Sequence, residues 1–209
     1  MPAPGLPADK LVNMADATPF APALISVSAD CELRQLEPSD AEEIFAVVSA
    51  NRDHLDRWLP WVESTREAGD TRKFLEQVAA NRAQGKTAAY SLRVRGELAG
   101  LIGLHDIDEA NGAAQIGYWL AARFEGQGWM TRAAGAVIEM AFSGLGLDRI
   151  EIRCAAGNLR SQAIPKRLGF TCEGRLRGAQ RLHGGRVDIL VYGMLREEWE
   201  RLRATRKED

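Results

Sequence analysis

The spacing of apolar positions changes period several times along the chain, and each change marks an element. Leu24 to Val27 and Glu32 to Leu36 read as two short strands or one interrupted strand. Pro38-Ser39 then opens a helix, with Ser39 and Glu42 at capping-box spacing, a buried stripe of Ile44, Val47 and Val48, and a stop near Asn51. Residues 51–62 form a short amphipathic segment in which Leu55, Trp58 and Leu59 share a face until Pro60 ends it, leaving Trp61 beyond the break. Asp70 is the expected N-cap of a further helix, which carries Phe74, Leu75, Val78 and Ala79 on one side and ends around Gly85.

From there the period falls to two. Residues 87–95, 97–105 and 114–121 read as an antiparallel meander punctuated by Gly96 and Asn111-Gly112. A helix over 127–143 repeats Ala133, Val137, Met140 and Ala141 and stops at Gly144 and Gly146; residues 149–156 follow as a strand with Ile150, Ile152 and Cys154 facing inward. Strand, helix and strand in succession predict a right-handed crossover that makes 114–121 and 149–156 parallel neighbours. Asn158 caps one more helix, which Gly169 terminates, although Pro165 falls inside it. Lacking its N–H, Pro165 leaves the Ser161 carbonyl without a helical partner, free to face a ligand. Residues 170–175 and 186–195 form a last antiparallel pair around a Gly184-Gly185 turn, and a charged helix begins at Arg196.

The pattern is that of an α/β (α+β) protein with a mixed central sheet flanked by helices. Residues 1–23, rich in Pro and Ala and without period, read as a flexible extension, 24–203 as one domain, and 204–209 as a charged tail. The 27 basic and 29 acidic residues nearly cancel, so there is no global basic field and direct nucleic-acid binding is not expected. No apolar run approaches the ~20 residues needed to span a bilayer. Cys31, Cys154 and Cys172 have neither metal nor disulfide-framework spacing, so no metal site is expected and a reducing cytoplasm is the simplest setting.

Candidate chemistry begins where the third meander strand runs through Arg123, Gly126 and Gly128 into a helix. Unpaired N–H groups and the positive end of the helix dipole at such a junction seat phosphate. A P-loop would need Lys after the second glycine, where Trp129 stands. A dinucleotide fingerprint would need a third glycine where Thr131 stands, and an acidic residue closing the next strand; Asp148 opens it instead. Neither design fits.

What remains, Arg123-x-x-Gly126-x-Gly128, resembles the pyrophosphate-binding signature of the GNAT superfamily of N-acetyltransferases. The run Asn158-Leu-Arg-Ser161 leading to Leu168-Gly169-Phe170 and the segment Asn51 to Trp61 are similar to its RimJ/RimL branch, which acetylates ribosomal-protein N-termini. The resemblance spans roughly 31–202 and implies an acyl-CoA N-acyltransferase fold whose central parallel strands splay apart to admit the pantetheine arm of acetyl-CoA. By the same resemblance, Trp119, Leu120, Ala121, Arg123, Gly126, Gln127, Gly128, Trp129, Met130, Thr131, Asn158, Ser161 and Arg167 are cofactor contacts. Trp58, Trp61, Gln115 and Asp188 are candidates for the acceptor pocket by the resemblance; the residues alone would put the two tryptophans in a core. Many relatives are dimers, which leaves a homodimer open here.

Acetyl transfer from a thioester to an amine requires a neutral amine, a donor for the oxyanion and a way to discharge the thiolate. The resemblance assigns Ser161 to the thiolate and the backbone around Tyr118 to the oxyanion. The base is where the chain departs from the family, because Gln115 stands where many members carry Glu, and Gln accepts no proton at neutral pH. His105, Glu173 and Asp188 are the remaining titratable candidates, His105 having the ordinary pKa of ~6.5 that suits a base. A relay through water, or entry of an already neutral α-amine of pKa ~7.7–8.0, would also serve. The acceptor is a protein N-terminus or a small amine such as a polyamine or antibiotic, with a non-catalytic acyl-CoA-binding module as the alternative outside enzymes.

Overall fold

The computed structural model describes residues 20–208. One eight-stranded sheet has the order β1-β2-β3-β4-β5-β6-β8-β7. Its strands are β1 Leu24–Ser28, β2 Cys31–Gln35, β3 Ala88–Val94, β4 Glu97–Asp108, β5 Ala113–Leu120, β6 Arg149–Ala155, β7 Thr171–Leu182 and β8 Gly185–Leu195. Between them lie α1 Ala41–Ala50, α2 Arg52–Leu55, α3 Ala68–Ala83, α4 Trp129–Glu139 and α5 Leu159–Leu168, and α6 Arg196–Glu208 follows β8. All neighbouring strands are antiparallel except β5 and β6, which the α4 crossover makes parallel as the strand-helix-strand pattern requires.

Both faces of the sheet are covered. On one, Tyr90, Leu92, Ile102, Ile116, Ile150 and Ile152 pack against α4, α5 and Trp199 of α6. On the other, Leu98, Leu101 and Trp119 meet α1, α2 and α3 through Ile44, Val48, Leu55, Leu75 and Val78. Alternation along a strand puts successive side chains on opposite faces. Ile116 and Tyr118 therefore belong to the α4 side, and Gly117 and Trp119 to the α1/α3 side.

The local starts differ from expectation. The capping box before α1 is Glu37 with Asp40 around a short turn, not Ser39 with Glu42. Likewise α3 begins at Ala68, with Glu67 as N-cap and Asp70 as its capping-box partner, not the cap itself. In both places a glutamate whose carboxylate accepts an N–H three residues on takes the role assigned to a shorter side chain. Helix α4 begins at Trp129, behind Gly128, and its last turn, Met140–Gly144, widens to π geometry. Strand β7 runs to Leu182, past the expected end at 175, because a bulge between Leu176 and Gln180 breaks its alternation without ending its pairing. Residues 1–19 of the expected extension lie outside the described residues, whereas Phe20 and Ala21 already pack on the core. Helix α6 continues to Glu208, beyond the boundary expected at 203.

Candidate active site

The parallel pair parts company halfway along. Pairing of β5 with β6 runs from Ala113↔Arg149 to Ile116↔Ile152 and stops there, although β5 continues to Leu120 and β6 to Ala155. Each remains paired on its outer side, β5 to β4 and β6 to β8, so the opening lies only between them. The Ala121 N–H bonds the Ala99 carbonyl on β4 at 2.8 Å, and alternation then turns the N–H groups of Tyr118 and Leu120 into the gap. An extended ligand entering there meets strand-like hydrogen-bonding groups on both walls.

Below the gap the chain makes the glycine turn. Gly126 and Gly128 have φ of 75° and 77°, a region that costs an L-residue about 1–2 kcal/mol, and a Cβ on Gly126 would meet nothing within 4 Å. The cradle is open, and the N–H groups of Trp129, Met130 and Thr131 begin α4 without helical partners. The side chain of Met130 is buried in the core, so this residue can offer a ligand only backbone, whereas Trp129, also largely buried, still reaches the pocket beside the turn. Arg123, Gln127 and Trp129 line a small pocket of about 160 Å³ beside the turn. Gln127 donates to the Arg123 carbonyl at 3.0 Å and accepts from the Trp129 indole at 3.0 Å, which fixes the turn. Arg123 pairs with Glu97 at 2.6 Å, an exposed contact that is easily exchanged for phosphate.

On the α4 side of the gap, three polar side chains converge. The Tyr118 hydroxyl donates to the Ser161 carbonyl at 3.1 Å, the Ser161 hydroxyl donates back to the Tyr118 oxygen at 3.3 Å, and Cys154 Sγ lies 3.1 Å from Ser161 Oγ. The carbonyl that Pro165 leaves without a helical partner is thus taken by Tyr118, not by a ligand. Burial pushes the Tyr118 hydroxyl well above the usual tyrosine range, with Cys154 beside it adding to the effect, so it remains a neutral donor. Burial also raises the Cys154 thiol, against the hydrogen bonds from Ser161 and Tyr118 that lower it. Asn158 caps α5 by accepting the Ser161 N–H at 3.1 Å, which sets Ser161 at the helix start beside the unpaired end of β6.

His105 occupies the other face. Its Nδ1 lies 3.0 Å from Asp106 Oδ2, and its Nε2 lies over Gly117, where a Cβ would approach to 3.2 Å. In the tautomer that donates Nδ1–H to Asp106, Nε2 is the acceptor. Asp106 sits at φ 50°, in the bulge where β4 leaves register with β5, a local strain of the kind found at functional positions. His105 and Gly117 lie at one end of a cavity of about 970 Å³ between α1, α3 and strands β3 to β5.

Of the acceptor-pocket candidates, only Trp61 lines this cavity, with its ring 6.5 Å from that of Trp119. Trp58 instead packs over Gly157 at the end of β6, above the gap. Gln115 stands between His105 and Glu151 on the neighbouring strands, outside the cavity. Asp188 is occupied within the β7–β8 hairpin, accepting the Gly178 N–H at 2.8 Å and pairing with Arg175 at 3.3 Å. Glu173 is held by Arg149 through two contacts of 2.6 Å, which draws its carboxyl below the ordinary range. Neither carboxylate is placed as a base. Trp119 turns its ring into the α1/α3 core, Ala121 spends its N–H on β4, and Leu120 reaches the gap by backbone. Arg167 is exposed in the last turn of α5.

Several contributors escaped the sequence reading. The Asn51 side chain accepts the Ala122 N–H at 3.0 Å and donates to Val47 at 2.8 Å, tying the end of α1 to the turn. Glu125 bridges His54 of α2 and Arg160 of α5. His183, at the hairpin tip, reaches Asp56 at 2.9 Å. These contacts tie α2 to the glycine turn and to the β7–β8 hairpin. No local pattern announces them, since each joins segments remote in sequence; Asp106 was detectable only as the neighbour of His105.

A parallel pair that parts above a glycine turn, with orphan N–H groups below and hydroxyls beside it, is built for a long cofactor carrying phosphate at one end and a reactive group at the other. A family model described as an acetyltransferase (GNAT) domain matches residues 31–171. YdaF of Bacillus subtilis (strain 168), provisionally named a ribosomal N-acetyltransferase, is 36% identical over 175 residues, covering 83% of this chain and 96% of that protein. The ribosomal-protein-serine acetyltransferase of Escherichia coli (strain K12) is 28% identical over 171 residues, covering 82% and 96%. A solved structure of RimL, a ribosomal L7/L12 alpha-N-protein acetyltransferase in complex with coenzyme A, superimposes with a TM-score of 0.81 at 29% identity, over 84% of this chain and 99% of that one. The chain belongs to the GNAT acetyltransferases and is an acetyl-CoA-dependent N-acetyltransferase.

Proposed function

We propose that this enzyme acetylates the N-terminal α-amine of a protein, a ribosomal protein foremost, in the cytoplasm. The observation that carries the mechanism is the division of proton-handling groups across β5: Tyr118 and Ser161 on one face of the gap, His105 over Gly117 on the other. Bound between β5 and β6, acetyl-CoA supplies the activated acetyl group and the thiolate to be discharged. Gly126, Gly128 and the first turn of α4 hold its phosphates, with Arg123 as countercharge. The N–H groups of Tyr118 and Leu120 polarise the oxygen held in the gap. His105 Nε2 would take the proton of the acceptor amine from the cavity side, and the Ser161 hydroxyl, oriented by Tyr118, would donate a hydrogen bond to the departing thiolate on the far side, its final proton coming from solvent.

The relatives support a protein acceptor, YdaF and the Escherichia coli enzyme both being named for ribosomal substrates. An α-amine also suits a site whose base is a histidine: with a pKa of ~7.7–8.0 it is partly neutral at pH 7, unlike a lysine at ~10.4. The test is release of free thiol from acetyl-CoA with a panel of N-terminal peptides and small amines. Turnover with peptides is expected. Turnover on small amines alone would overturn the acceptor, and cofactor binding without turnover on any acceptor would overturn the enzyme.

A further inference from the structure

The cavity on the His105 side is larger than an amine needs and has a distinctive chemistry. Its inner wall is formed by Leu36, Val48, Val78, Leu101 and Trp119, all buried, and its mouth by Trp61 and Phe74, which remain 39% and 51% exposed. Large apolar side chains left open at one mouth are the informative exception on a protein surface. Its volume of about 970 Å³ is at the upper end of the ~300–1,000 Å³ usual for ligand pockets.

The charges at its edge are already engaged. Asp70 accepts the N–H groups of Arg66 and Glu67 at 3.0 and 3.3 Å, with Lys73 at 3.9 Å from its other oxygen, and Asp106 faces His105. Lys73 and Lys86 add two cations to the same lining. These charges balance, Asp70 and Asp106 against Lys73 and Lys86, and give a polycation no net attraction, whereas an apolar group would exchange water for Trp61, Phe74 and the wall behind them.

Resting on the N-terminal-amine reading, we propose that the acceptor is a polypeptide whose residues next to the amine are bulky and apolar. The cavity takes up these side chains while the amine reaches His105 and Gly117.

Three peptides sharing Ser at position 1 and differing at positions 2 and 3, with Leu-Phe, Glu-Asp or Lys-Lys, test this alongside spermidine. Free-thiol release by the full chain should give the Leu-Phe peptide a kcat/KM about 10–100-fold above the others, the discrimination expected of an apolar pocket. Phe74→Ser and, separately, Trp61→Ser should collapse that ratio mainly through KM, with coenzyme A binding reporting that each variant is folded. Equal rates on all three peptides would overturn the inference and leave N-terminal acetylation standing; a ratio unchanged in both folded variants would overturn the cavity's part in it. Turnover of spermidine with no peptide acetylated would overturn both readings.

Discussion

Replacing Tyr118 by Phe probes the centre of the site with one oxygen. The change removes the donor to the Ser161 carbonyl and the acceptor of the Ser161 hydroxyl, leaving both without that partner in a crowded setting. An unsatisfied buried polar group costs about 1–3 kcal/mol. Because Ser161 is only half-buried, about 1–2 kcal/mol is expected, which for a chain of this length lowers Tm by roughly 3–6 °C. Burial keeps the Tyr118 hydroxyl neutral throughout the working pH range, so no new limb should enter the pH profile. The effect on rate is positional: Ser161 loses the contact that orients its hydroxyl, and kcat should fall by about 10–100-fold, less than the ~10²–10⁴-fold loss of an acid–base group itself. Steady-state thiol release for Tyr118→Phe, Ser161→Ala and the double variant forms the assay. If the hydroxyls act as a unit, the double variant is no slower than Ser161→Ala alone. Multiplicative losses, or full activity in Tyr118→Phe with a lowered Tm, would refute the coupling and leave Tyr118 a packing residue.

Tyr90 is fully buried in the sheet core and its hydroxyl has no partner among the described residues, so Tyr90→Phe should stabilise the fold by ~1 kcal/mol and raise Tm by about 2–4 °C. Burial pushes this hydroxyl up from 10.0 to about 12; its contribution is whole below pH 10 and lost as pH rises through about 12, so thermal melts of the variant should fall less steeply in that window. Glu173 titrates with the opposite sign: Arg149 holds its carboxyl below the ordinary range, and the stability from the pair is present above ~4.3 and disappears as pH falls through the folded value. The Tm difference between wild type and Glu173→Gln should therefore close on acidification, and a difference constant from pH 6 to pH 3 would exclude this role. Gly126→Ala meets no atom within 4 Å yet must adopt φ 75°, so calorimetry should show weaker coenzyme A binding with a folded protein; unchanged affinity would remove the turn from phosphate binding.

The elements and their order were legible because they rest on local period and punctuation: alternation in β3 to β5, the 3.6-residue stripe of α4, and glycines at its ends. The cofactor turn was legible for the same reason, being six consecutive residues whose glycines have a backbone cause. What depended on pairing was hidden. The expected splay came from resemblance, and only the register, halting at Ile116↔Ile152, displays it. The Ser161 carbonyl was predicted to lose its helical partner, which it does, but its new partner, Tyr118, lies 43 residues away on β5. Glu173 and Asp188 looked like free carboxylates until their arginines appeared from other segments. Charged side chains reveal little about their commitments in one dimension, because long-range ion pairs leave no periodic trace.

The proposed mechanism places acetyl transfer in the gap between β5 and β6, with His105 and Tyr118–Ser161 on opposite sides. The most direct test is a crystal structure with a bisubstrate analogue, coenzyme A joined through an acetyl bridge to the α-amine of a Ser-Leu-Phe peptide. The pantetheine is expected between residues 117–120 and 153–155, the pyrophosphate on the Gly126–Gly128 turn, the sulfur beside Ser161 and the peptide in the cavity with its nitrogen facing His105. A peptide on the Ser161 side, or a cofactor outside the gap with β5 and β6 zipped together, would contradict it.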